Sequence, residues 1–207
     1  MMNQLMQITA LVEMSITCAA IIILLLQKIA SSELPGITKV FLLLLIANLF
    51  FWPLGLGMEL PLAAYVRGAT GDLSIVTSLL LWTSIFSLGK AMPIVFKFAI
   101  VIIAIAFYPL ALGLGMVDPY AWGYGSMTFF IAVLCFALVC AFVNWTKGVW
   151  IIGIAILAWV THWHESANLW DYLLDPFLVI WALTALVGAL YKQRRVKARS
   201  GYLFRPG

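Results

Sequence analysis

The chain has 207 residues, of which 65% are hydrophobic and 10% charged, and its mean hydropathy is +1.09. A soluble domain needs far more polar surface than that, so the composition is that of an integral membrane protein. The formal charge of +4 does not argue for nucleic acid, because the basic residues are placed as topology markers.

The predicted fold class is all-α, a polytopic helix bundle. Several apolar runs approach the ~20 residues that cross a bilayer core as helix, and the alternation of a membrane barrel is absent. Seven spans are predicted, over residues 8–27, 38–57, 73–89, 92–115, 126–144, 148–163 and 174–191. They make one transmembrane domain over 1–191, followed by a basic cytoplasmic tail over 192–207. If the short sixth run is re-entrant or interfacial, the count is six and the N-terminus changes sides.

The first 27 residues carry no Lys or Arg, so the charged n-region of a cleavable signal is missing and the first run is expected to remain as a helix. Glu13 lies inside it with no counter-charge nearby in sequence. An acid at that depth is costly and marks a functional candidate. Arg67 falls on the same side of the predicted topology, so an ion pair between the two would offset the cost. A protonated Glu13 bonded between helices, or a span that begins after it, are the alternatives.

Lys28 and Lys39 fall in the first loop, Lys90 in the third and Lys147 in the fifth, while Glu59, Asp72, Asp118, Glu165 and Asp171 fall in the others. With Lys192, Arg194, Arg195, Lys197 and Arg199 after the last run, this sorting predicts an outside N-terminus and a cytoplasmic C-terminus. The loops 58–72, 116–125 and 164–173 are then outer loops, with Arg67 their one basic residue. WPLGLGMELP at 52–61 and YPLALGLGMVDP at 108–119 resemble each other, as an internal repeat would require; Gly, Pro and Leu at helix ends give the same likeness without one.

Asp72, Asp118 and Asp175 each precede a predicted helix, the last two directly before proline, and all three are expected to cap helix N-termini. Ser74, Thr77, Ser78, Ser84 and Ser87 recur at helical steps on the third span, and Ala182, Ala185, Gly188 and Ala189 do so on the last, as close-packing stripes. Lys97 is placed to snorkel to the cytoplasmic headgroups. Cys18, Cys135 and Cys140 lie in apolar runs without a CxxC pattern and read as packing residues.

The densest polar stretch is THWHESANLWDYLLDP, residues 161–176. On a helix the HxH spacing points two imidazoles apart, so His162 and His164 share a metal only where the chain has unwound. Carboxylates such as Glu165, Asp171, Glu59 or Asp118 would have to complete such a site. The flanking Trp159, Trp163, Trp170 and Tyr172 also fit an interfacial aromatic belt. No haem, retinal or nucleotide site is supported: both histidines come from one segment, Lys192 comes only at the end of the last run, and no phosphate-binding loop is present.

Three functions follow as expectations. The first is a non-catalytic subunit of a larger assembly in a bacterial-type inner membrane, contacting partner or substrate through its outer loops, with lipids and other membrane subunits as partners and no nucleic acid. The second is an enzyme, with or without a metal, acting at the outer leaflet on a lipid-linked or glycan substrate. It would use His162, His164 and Glu165 as catalytic groups and Arg67 for an anionic headgroup. The third is a small proton- or ion-coupled transporter using Glu13. Across these readings Glu13, Arg67, Glu59 and Asp171 are the candidate substrate or ion contacts.

Overall fold

A computed structural model describes residues 2–55, 57 and 59–203, with side chains described between residues 4 and 196 of these. The chain is helical: α1 (Met2–Ala30), α2 (Gly36–Phe51), α3 (Leu62–Thr70), α4 (Ile75–Ile85), α5 (Ile94–Ala111), α6 (Met127–Phe142), α7 (Thr146–Val160), α8 (Leu169–Leu173) and α9 (Pro176–Leu203), with a 3-10 turn over Tyr120–Tyr124. Each of the seven apolar runs holds one apolar helix. Three of these, within α1, α5 and α9, are long and apolar enough to cross a membrane, while α2, α4, α6 and α7 are shorter. At 1.5 Å per residue, the 11 residues of α4 reach only about 16 Å, roughly half of a bilayer core.

The basic cluster extends a helix: α9 continues through Lys192, Arg194 and Arg195. The side chains of Lys197 and Arg199, and residues 204–207, lie outside the described residues. Lys39, expected in a loop, is a buried residue of α2.

The chain divides into two compact units, residues 1–90 with 120–175, and residues 91–119 with 176–207. In the first, α1 is the central helix, packed against α2, α3 and α4. One core cluster joins Met14 and Cys18 of α1 to Ala63 and Leu73, and a second joins Ala20 and Ile23 to Ile85 of α4. In the second unit α5 packs on α9, and the Lys97 ammonium lies over the Trp181 ring, 5.2 Å from its centroid. A cation–π contact thus serves the residue expected to snorkel.

The connections sort by charge. Hydrogen bonds and an ion pair gather the segments 61–74, 120–126 and 161–175 at the acidic end of the first unit. At its other end Trp145 Nε1 donates to the Lys90 carbonyl, beside Lys147. Four helices stop in Schellman motifs, with a 6→1 bond such as Trp163 N–H to Ala158 O and a 5→2 bond such as His162 N–H to Trp159 O. The left-handed residue is Gly113 after α5, but Ser87, Asn144 and His162 after α4, α6 and α7. Only the first of these four has the glycine that makes such an ending readable in sequence.

The two similar decapeptide-scale segments differ in setting. The first follows the end of α2, with Leu56 and Met58 outside the described residues, whereas Tyr108–Ala111 of the second lies inside α5 with Pro109 in the helix.

The acidic end is closely packed at Gly123, where an added Cβ would lie 1.7 Å from Asn168 Oδ1. Asn168 is fully buried; it donates through Nδ2 to Tyr120 O and accepts at Oδ1 from Trp170 N–H, capping α8. Gly123→Ala is therefore expected to destabilise the protein by about 2 kcal/mol or more through these buried bonds. Thermal unfolding in detergent, compared with Gly68→Ala, whose position is open and whose backbone is helical, checks this.

Candidate functional site

Glu13 lies on the part of α1 where nearly every side chain is enclosed, so its carboxylate is buried away from lipid and water alike. Polar atoms in such a place need hydrogen-bond partners. Two are supplied: Ser78 Oγ–H of α4 donates to Oε1 at 2.7 Å, and His164 Nε2 meets Oε2 at 2.8 Å. His164 is itself buried, stacked on the Tyr172 ring at 4.8 Å, and its backbone N–H donates to Tyr172 Oη at 3.1 Å. Tyr172 in turn donates to Ser166 O at 3.0 Å. Among the described residues, His164 Nδ1 and Trp163 Nε1 are buried polar atoms without a partner.

This pairing replaces the expected one between Glu13 and Arg67. Arg67 sits near the end of α3, where Gly71, at φ +75, turns the chain back so that Asp72 meets the guanidinium. Nε donates to Asp72 Oδ1 and Nη2 to Oδ2 at 2.9 Å, while Nη2 also lies 3.3 Å from Glu165 Oε1. Burial works against ionisation of Asp72, but the hydrogen bonds from Arg67, then the charges of His164 and Arg67, hold its carboxyl below the ordinary value. The bonds to Asp72 likewise favour the charged form of Arg67 against its burial.

Asp72 is thus spent on Arg67, and the N-cap of α4 is Ser74, whose Oγ accepts from Thr77 N–H. Asp175 accepts at Oδ2 from the Ser74 N–H at 2.8 Å, bonding to the start of a helix 101 residues earlier in the chain. Asp118 is exposed and stands just before the 3-10 turn, while α6 is capped by Ser126. Asp171 accepts from Tyr120 Oη at 2.9 Å and from Ser166 Oγ; burial first, then this bond, raises the Tyr120 pKa. Glu59 is exposed.

The two histidines are not brought together. His162 is exposed and is the left-handed residue that ends α7, whereas His164 is buried with Nε2 on Glu13. Among the described residues, no group of three or more His, Cys, Asp or Glu is arranged to hold a metal. The Ser78 hydroxyl donates to the Glu13 carboxyl, not to the imidazole of His164. What the arrangement can do is hold a hydrogen-bonded Glu13–His164 pair inside a helix bundle and present, above it, an open cavity of about 410 Å³ lined by Gln7, Leu11, Ala64, Arg67, Gly68, Gly71, Asp72 and Glu165.

No protein-family model, curated protein or solved structure matches this chain. Ser78, Tyr172, Asn168 and Ser166 are the site residues that sequence reading missed as partners. Glu13 and His164 are 151 residues apart, and no local periodicity connects them.

Two outcomes test this geometry. His162→Gly is expected to keep or raise stability, because glycine adopts the left-handed conformation freely, while His162→Val is expected to cost about 1–2 kcal/mol; melting in detergent distinguishes them. The folded-state pKa of Asp72 is lowered, so its contribution is full above the unfolded value and is lost as pH falls through the folded one. Below an ordinary value of 3.8, the wild type should therefore lose stability more steeply than Asp72→Asn.

Proposed function

We propose that the chain is a seven-span subunit of a larger assembly in a bacterial-type inner membrane, with its N-terminus outside and its C-terminus cytoplasmic. The sorting of Lys90 and Lys147 to one end of the first unit and of Asp72, Glu165 and Asp171 to the other supports that orientation. The observation that carries the subunit reading is the segment after α5. Leu112, Leu114 and Met116 there are 79%, 79% and 105% exposed, on a backbone that is no longer helical. Hydrocarbon disfavours irregular backbone and water disfavours bare apolar side chains, so a protein surface is the environment that suits both.

Burying these three side chains would contribute roughly 1.5–3 kcal/mol each. The native protein in mild detergent should therefore travel with a stoichiometric companion, and replacing Leu112, Leu114 and Met116 together by Ser should release it. A native mass equal to that of the chain alone would sink the proposal.

The Glu13–His164 pair favours a second reading, a proton- or ion-coupled carrier, since ionisable pairs inside membrane bundles mark ion pathways. Under it, Glu13→Gln abolishes transport while the amount of folded protein stays unchanged. Under the subunit reading the same change disrupts the buried hydrogen-bonded pair with His164, and the yield of folded protein falls. Quantifying the purified variant beside an uptake assay separates the two.

A further inference from the structure

We propose that the cavity walled by Gln7, Leu11, Arg67, Gly68, Asp72 and Glu165 is a binding site for a primary ammonium group. Its volume, about 410 Å³, falls within the range of small-molecule sites. The chemistry of its wall selects the ligand. One guanidinium faces two carboxylates and engages both through Nε and Nη2, so the lining carries a formal charge of −1, which favours a cation over an anion.

Glu165 is the carboxylate most open to a ligand. It is 60% exposed, and it touches Arg67 at 3.3 Å, longer than the 2.9 Å of the Asp72 Oδ2 contact. A primary ammonium has three N–H donors, and Glu165, Asp72 and the Gln7 amide oxygen supply acceptors of the right kind. A quaternary ammonium would want an aromatic cage, and no aromatic side chain lines the cavity. A hard divalent cation would want more oxygen ligands than two carboxylates already shared with an arginine. The apolar part of an amine has Leu11, Ala64 and the bare backbones of Gly68 and Gly71 to rest on, and an added Cβ at either glycine meets nothing within 4 Å.

The same chemistry is offered by the headgroup of phosphatidylethanolamine and by a free soluble amine. This inference is independent of the docking segment after α5 and of the Glu13–His164 reading.

The test uses the full chain reconstituted in phosphatidylcholine nanodiscs, followed by thermal unfolding. Ethanolamine is titrated as the free probe, choline serves as the quaternary control, and parallel discs contain phosphatidylethanolamine. Stabilisation by ethanolamine but not choline supports a site for soluble amines; stabilisation only in the phosphatidylethanolamine discs supports a lipid headgroup. In either case Glu165→Gln should weaken the effect about tenfold or more, the size expected for a lost charge-assisted bond. Gly68→Leu, which fills open space, should abolish it. No stabilisation of the wild type by either source, an equal effect of choline, or full binding by both variants would each overturn the proposal.

Discussion

A carboxylate inside the most enclosed part of α1 is the constraint around which the first unit is built. Glu13 cannot be left without hydrogen-bond partners there, and Ser78 from α4 and His164 from the segment after α7 both reach it from outside its own helix. To deliver His164, the chain has to leave the α7 helix just before it. It does so at His162, whose left-handed conformation ends the helix, and Thr9 Oγ1 of α1 then donates to Trp163 O at 3.0 Å. Tyr172 stacks on the imidazole and bonds its backbone, so α8 fixes the direction from which the histidine approaches. A helix terminus, a loop and a short helix thus follow from one buried acid.

This dependence makes the acidic end a single hydrogen-bonded structure rather than a set of mobile loops. Asp171 ties Ser166 to Tyr120, Asn168 ties α8 to the 3-10 turn, and Asp175 reaches the first amide of the α4 cap. In a bilayer the hydrophobic effect gives little preference for one helix contact over another, and polar contacts and close packing take over that role. The first unit follows this rule: α1 and α4 meet through Ser78–Glu13 and through Trp82 Nε1 donating to Thr17 Oγ1 at 3.0 Å. The long helices of the second unit contrast with it, with 22% of the apolar stretch of α5 and 11% of that of α9 buried, against 50% for α1.

Much of the helical layout was legible, because apolar runs between charged or Gly/Pro-bearing stretches report where helices lie. Their lengths were less so. The third run reads as a span of bilayer length, yet α4 ends at Ile85 because Ser87 takes the left-handed turn that glycine usually signals. The helices α3 and α8 were hidden inside stretches too polar and too short for periodicity to register. The aspartates show the limit of local rules: Asp72 stands where a cap belongs, but Arg67, five residues back, is a stronger partner than backbone amides that Ser74 can serve. Of the arrangements the sequence leaves open for Glu13, the structure has a carboxyl bonded between helices, to Ser78 and His164, and not the pair with Arg67. Arg67, near the end of α3, is taken up by Asp72 and Glu165, while His164 is buried against Glu13.

The charges of the acidic end are consequently divided by depth. Below, one acid meets one imidazole and one hydroxyl in a closed setting; above, two acids share one guanidinium at the wall of an open cavity, and Asp72 lines both this cavity and the small space beside Glu13 and Ser78. The inner group has its hydrogen bonds supplied by the chain itself, apart from Nδ1 of His164. The outer group has an acid in excess. Holding Glu165 near Asp72 against their mutual repulsion depends on Arg67 between them, and any cation entering the cavity would relieve the same repulsion. The property that stabilises the rim of this end and the property that would recruit a ligand are thus one: a fixed surplus of negative charge on a wall that is otherwise small and apolar.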